Sequence, residues 1–184
     1  MPLSIVWLLS LSADAWSVKP SACCLELCNI PQQEGKVHMP YTTACGQRLD
    51  TYYFVNAALE PLCIVLPTNT QDVSAIARVL SENECRFGVR SGAHSVYRGT
   101  SSVEDGITVD FGHMSLTIYD DSRKLASVGP GSTWGQTYNA LNMYRVAAIK
   151  GRASPVGVDG FMTGEGYSFH GQHKKLCLRP TCQF

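Results

Sequence analysis

The sequence predicts an α+β fold: a small parallel strand–helix–strand unit followed by a second lobe of mixed or antiparallel strands. Three observations carry this. Residues 63–89 run as an apolar strand, an amphipathic helix and a second short strand. From Ile107 onward, short β-branched runs alternate with polar turns and read as strands and a hairpin. Three loops of small residues, at 90–95, 129–133 and 151–168, interrupt these elements where core packing does not require them.

In chain order, residues 2–11 are mostly apolar and Ala13-Asp14-Ala15 has the A-x-A pattern of a cleavage site. Residues 1–15 therefore read as a signal peptide; the alternative is a buried apolar segment. Residues 16–58 form a Cys-rich arm, irregular through residue 47, with a short helix or extended segment at 54–59. Cys63-Ile64-Val65-Leu66 is a strand closed by Pro67. Thr68 with Gln71, or Asn69 with Asp72, can cap the helix that follows. Its stripe is Val73, Ile76, Ala77 and Leu80. Residues 85–89 are the next strand, and such a unit makes a right-handed parallel pair.

Residues 107–111 are a further strand. Residues 116–119 and 125–128 flank the turn Asp120-Asp121-Ser122-Arg123, a hairpin signal. Thr133 with Gln136 can cap a helix reaching about Asn142. Ala147-Ala148-Ile149 reads as a short strand. Residues 172–184 read as an irregular tail.

Composition narrows the class. A chain of 184 residues, 45% of them hydrophobic, can bury one domain's core or two small lobes. Fifteen basic residues balance fifteen acidic ones, with no basic stripe, which argues against a nucleic-acid partner. Nothing after the first residues has the apolar length to span a membrane. Eight cysteines suit an oxidising compartment, so a secreted or secretory-pathway protein is expected. At least one disulfide should join the cluster Cys23, Cys24 and Cys28 to Cys63 or Cys85, which lie close to the paired strands.

The loops are where chemistry is expected. Arg90, Ser91, Gly92, Ala93, His94 and Ser95 follow a strand, and successive free amides in such a loop can cradle an anion. Arg90 adds fixed charge and His94 a nucleophilic nitrogen. Gly129, Pro130, Gly131, Ser132 and Thr133 precede a helix N-terminus, a natural phosphate site. Five glycines between residues 151 and 166 suggest backbone lying close to a cofactor.

Taken together, five stretches resemble the FAD-binding PCMH-type domain of the vanillyl-alcohol-oxidase superfamily, and within it the berberine-bridge-like, oxygen-dependent FAD-linked oxidoreductases. They are Pro61-Leu62-Cys63-Ile64-Val65-Leu66-Pro67-Thr68, Arg90-Ser91-Gly92-Ala93-His94-Ser95, Gly106-Ile107-Thr108-Val109-Asp110-Phe111, Val128-Gly129-Pro130-Gly131-Ser132-Thr133-Trp134 and residues 155–166. The resemblance assigns residues 59–171 to that domain, as two small α/β lobes with the second incomplete. It implies FAD, bonded covalently through His94. The loops 90–95 and 129–133 would surround the pyrophosphate. Val156, Gly157, Gly160, Thr163, Gly164, Gly166 and Ser168 would lie beside the isoalloxazine and ribityl chain. It implies flavin-mediated oxidation of a small organic substrate with oxygen as acceptor, and names no catalytic residue here.

This sequence departs from the family pattern at Ala93, Asp159 and Glu165, where glycines are common. The family continues beyond this length, so the chain looks truncated. The alternative function is a non-catalytic, secreted, Cys-rich relic of a flavin domain. A zinc module from His170, His173, Cys177 and Cys182 has suitable ligands but no recognised spacing. Residues 160–166 lack the strand, glycine spacing and helix of a dinucleotide fingerprint.

Overall fold

The computed structural model describes residues 21–148, 151–164, 166 and 168. The expected signal peptide, Ile149, Glu165 and the tail with its histidines and cysteines lie outside them.

Residues 21–47 are more regular than expected. Ser21 accepts a hydrogen bond from the Cys24 amide at 3.1 Å and caps α1 (Ala22–Cys28). Thr42 accepts from the Cys45 amide at 3.3 Å and caps α2 (Thr43–Leu49). Each cap satisfies an amide that the first turn leaves open. Between them runs the two-residue strand β1 (Val37–His38). Residues 55–57 make one 3₁₀ turn, the helical one of the two expected forms.

The strand–helix–strand unit forms as β2 (Cys63–Val65), α3 (Thr70–Glu82) and β3 (Phe87–Arg90). Of the two possible caps Asn69 is used, accepting from the Asp72 amide at 2.9 Å. The Asp72 carboxylate turns instead to the Thr68 amide and hydroxyl, each at 2.8 Å, and to Lys36 at 2.6 Å. Ile76 and Leu80 enter a core shared with Leu27, Val65, Ile107 and Val109.

The two strands of this unit do not pair with each other. β4 (Ile107–Asp110) lies between them, parallel to both, in the order β1-β2-β4-β3, with β1 antiparallel at the edge. The expectation that Ile107 opens the second lobe is thus corrected: it belongs at the centre of the first sheet. Burial explains this. All four β4 residues are buried, whereas Phe87 and Val89 of β3 are 51% and 40% exposed. Both faces of β4 are covered, Ile107 and Val109 on one and Thr108 and Asp110 on the other, as suits the centre of a parallel sheet.

The second lobe starts with the hairpin β5 (Thr117–Asp120) and β6 (Leu125–Val128). Asp120 closes its turn by accepting from the Ser122 and Arg123 amides at 3.0 and 3.1 Å. Helix α4 (Trp134–Asn142) begins at the expected capping box of Thr133 and Gln136 and buries Trp134 and Leu141 beside Tyr119 and Ala126. Residues 146–148 are irregular rather than a strand, and Ala148 packs into the same cluster. A short helix, α5 (Val158–Thr163), stands within the third loop.

Two disulfides, Cys23–Cys85 and Cys24–Cys63, fasten α1 to the sheet, so the expected tie is made twice. No described helix is long and apolar enough to cross a membrane.

Candidate functional site

Strand β3 ends in Arg90, and the structure gives that side chain a different task from the one expected. It is 2% exposed. Nη1 lies 3.3 Å from Asp110 Oδ2 and donates to the Arg48 carbonyl at 2.6 Å, while Nη2 donates to the Thr51 hydroxyl. The guanidinium carbon sits 4.2 Å from the centre of the Tyr52 ring. Arg48 adds a two-point pair to Asp110, at 2.8 and 2.9 Å. Burial draws the Arg90 guanidinium below its ordinary pKa, and Asp110 works against that. Arg90 therefore lies beneath the loop as a neutralised support and is not among the groups lining the cleft above it.

The chain beyond Arg90 brings the three small-residue loops together. Ser91 Oγ donates to the Pro130 carbonyl at 2.6 Å. Trp134 N donates to the Val156 carbonyl at 3.0 Å and Val158 N to the Ser132 carbonyl at 2.9 Å, making a one-residue bridge between Thr133 and Gly157. Gly92 and Gly157 meet backbone to backbone: a Cβ on Gly92 would sit 2.5 Å from both N and Cα of Gly157. Such contact excludes any side chain at either position. Gly129 and Gly131 pack in the same close manner against the Met114 and Phe111 carbonyls. Thr133 is occupied in capping α4. The loop 129–133 thus stands behind the other two and does not line the cleft in front of them.

That cleft measures about 560 Å³. Of the expected site residues it is lined by Ser91, Gly92, Ala93, His94 and Ser95 from one side and by Val156, Gly157, Gly160, Thr163 and Gly164 from the other. Gly166 and Ser168 are not part of its lining. Val89, Thr100 and Ser101 line it without any signal in the sequence that marked them, and Phe161, from the stretch 155–166, lines it without having been singled out. The amides of Gly92, Ala93, His94 and Ser95 donate to no acceptor among the described residues. Ala93, not Gly92, takes the left-handed conformation, with φ of +51°, and its methyl packs in a cluster with Tyr52 and Ala57.

Two titratable side chains line the cleft, His94 and Asp159, and among the described residues no Lys or Arg does. The His94 ring lies flat on the Tyr53 ring, with centroids 3.9 Å apart and planes at 24°. Burial pushes the Asp159 carboxyl above its usual range. Among the described residues no group of three or more metal-ligating side chains gathers.

Open amides on small residues, crossing glycines and one imidazole define a domain built to hold an anionic cofactor against backbone. Residues 61–179 match the FAD binding domain family, and the chain belongs to that family. The chain is 40% identical over 146 residues to the FAD-dependent monooxygenase sdcF of Emericella nidulans, covering 78% of this chain and 30% of that one. The fold is shared with the BBE-like 1 protein of Physcomitrella patens, variant D396N (TM-score 0.71, 22% identity, 83% of this chain and 33% of that one). It is also shared with the glucooligosaccharide oxidase of Acremonium strictum, described with a 6-S-cysteinyl, 8α-N1-histidyl FAD (TM-score 0.64, 24% identity, 73% and 28% covered). The chain spans under a third of the length of curated relatives that it matches.

Proposed function

We propose that the cleft between residues 91–95 and 156–164 holds FAD, with His94 as its covalent tether, and that the chain serves an FAD-linked oxidoreductase. The observation that carries this reading is the run of Ala93, His94 and Ser95, cleft-lining residues whose amides donate to no acceptor among the described residues. Backbone N–H groups in such a run suit diphosphate oxygens, and Gly160 leaves open space on the opposite wall. Bound FAD would supply the redox chemistry, taking a hydride from a small organic substrate and passing the electrons to dioxygen. The protein's part is to position it: the amides hold the phosphates, the loop 129–133 keeps the two walls at their spacing, and His94 anchors the ring.

His94 would hold the cofactor through one imidazole nitrogen, which would give up its proton to make the bond, with dioxygen as the acceptor of the two electrons released. The histidyl link named for the glucooligosaccharide oxidase supports the same role for His94 here. Two disulfides suit the secretory pathway, and the apolar segment before Ala15 reads as its signal, so we assign the protein to secretion.

Asp159 favours a second reading, a flavin-domain relic that does not load cofactor, because a carboxylate in a cleft without lining cations repels a diphosphate. Denaturing-gel fluorescence after acid treatment, with absorbance of the native protein, separates the two. Wild type is expected to fluoresce and His94→Ala is not. Fluorescence that persists in His94→Ala places the link elsewhere. No flavin in either protein, bound or released, selects the relic.

A further inference from the structure

We propose that Tyr53 is a positioning residue for His94, holding its imidazole at the angle from which the nitrogen meets the flavin. The proposal rests on the assignment of His94 as tether. Among the described residues the imidazole makes no hydrogen bond, so nothing polar sets its rotamer. Its oriented contact is the stack on Tyr53, at 3.9 Å between centroids. The stack is itself fixed from three sides. Tyr53 N donates to the Ala93 carbonyl at 3.1 Å, so the two rings rise from backbone segments already joined. The preceding residues, Thr51 and Tyr52, are gripped by Arg90 through a hydrogen bond and a ring contact. Phe54 meets the Tyr53 ring edge-on with centroids 4.8 Å apart. The buried Arg90 support therefore serves the cleft indirectly, by setting the segment that carries the aromatic plate.

An attacking nitrogen gains from being held, because a freely rotating ring spends most of its time turned away from the reacting carbon. A stacked pair of rings holds its partner by a free energy equal to about a fivefold preference. Tyr53 is 56% exposed and packs outside the main core, so its replacement should leave the fold standing.

The test uses wild type, Tyr53→Ala and Tyr53→Phe, each checked for folding by circular dichroism, with His94→Ala as control. The first readout is the fraction of total bound flavin that stays attached after acid precipitation. Tyr53→Ala is expected to lower it about fivefold while retaining non-covalent flavin, and Tyr53→Phe to restore it. The second needs no cofactor: the rate at which diethyl pyrocarbonate modifies His94 in the apoprotein, followed by peptide mass spectrometry. It should rise about fivefold in Tyr53→Ala and stay at the wild-type value in Tyr53→Phe. Equal modification rates in wild type and Tyr53→Ala overturn the proposal, as does an unchanged covalent fraction. Wild type that takes up no flavin defeats the cofactor reading instead, and the apoprotein comparison then decides the role of Tyr53 by itself.

Discussion

Gly92 and Ala93 are neighbours that should answer a change of one methyl group in opposite ways. At Gly92 a methyl would enter the backbone of Gly157, 2.5 Å away, and no rotamer can relieve it. Gly92→Ala is expected to cost about 2 kcal/mol or more by forcing the loops apart. At Ala93 the methyl is already present, in a left-handed conformation that costs a non-glycine residue about 1 kcal/mol. Its burial beside Tyr52 returns about as much. Ala93→Gly should therefore change stability by less than about 1 kcal/mol, since glycine's looser unfolded chain takes back part of the relief. Urea unfolding of the two variants checks both figures. Asp159 gives a third residue-scale prediction. Burial raises its carboxyl above the usual range, so it takes up a proton at a higher pH than an exposed carboxylate would, and acidification should remove its repulsion and tighten flavin binding. Asp159→Asn is expected to bind flavin about tenfold more tightly than the charged wild type and to lose this acid-side gain, as measured by flavin titration across pH. The positions of Gly92 and His94 were legible because a strand that breaks into small residues and one imidazole gives little to a core. The task of Arg90 was not, because it depends on Asp110, Thr51 and Tyr52, which only the folded chain brings near.

At the scale of elements, what could be read was what is local. α3, α4 and the hairpin each carry their signal within a few residues: a stripe, a capping pair, a polar turn. The sheet order was not readable, because the place of β4 between β2 and β3 is settled by which strand buries both faces. α1 and α2 were missed for another reason: each has seven residues, too few to show a stripe, and their Ser21 and Thr42 caps were the available signal. The start of α3 yields a testable consequence. Asp72 joins β1's neighbour Lys36 to the helix, and although burial pushes its carboxyl up, the Lys36 and Thr68 hydrogen bonds prevail and hold it at about 2. A depressed carboxylate contributes stability that is complete above its unfolded value near 3.8 and is lost as pH falls toward 2. His38 acts in a separate window. Burial, and the nearby His113, lower its pKa below 6.5, so the folded state favours the neutral ring and loses stability as pH falls through 6.5. Asp72→Asn should destabilise the protein at pH 7 and flatten the loss between about pH 4 and 2, leaving the step near 6.5 in place. Thermal melts across pH would show both steps.

At the scale of the molecule, the two disulfides allow two physical effects to be set against each other. Cys23–Cys85 closes 62 residues and Cys24–Cys63 closes 39, the second nested within the first. Each constrains the unfolded chain by about 4 kcal/mol, and the logarithm of the loop ratio favours the longer one by only about 0.4 kcal/mol. Packing points the other way. Cys24 and Cys63 are both fully buried in the main core, with Leu27, Val65 and Ile76 around them, while Cys85 is 8% exposed and Cys23 lies at that core's margin. Replacing the inner pair by alanine removes two sulfurs from close packing and leaves a gap that costs about 1–2 kcal/mol beyond the lost constraint. That exceeds the loop difference. Cys24→Ala with Cys63→Ala should therefore destabilise the protein more than Cys23→Ala with Cys85→Ala, despite the shorter loop. Urea midpoints of the two double variants decide between the effects. The opposite order would mean that loop length governs here and that the core closes over the missing sulfurs.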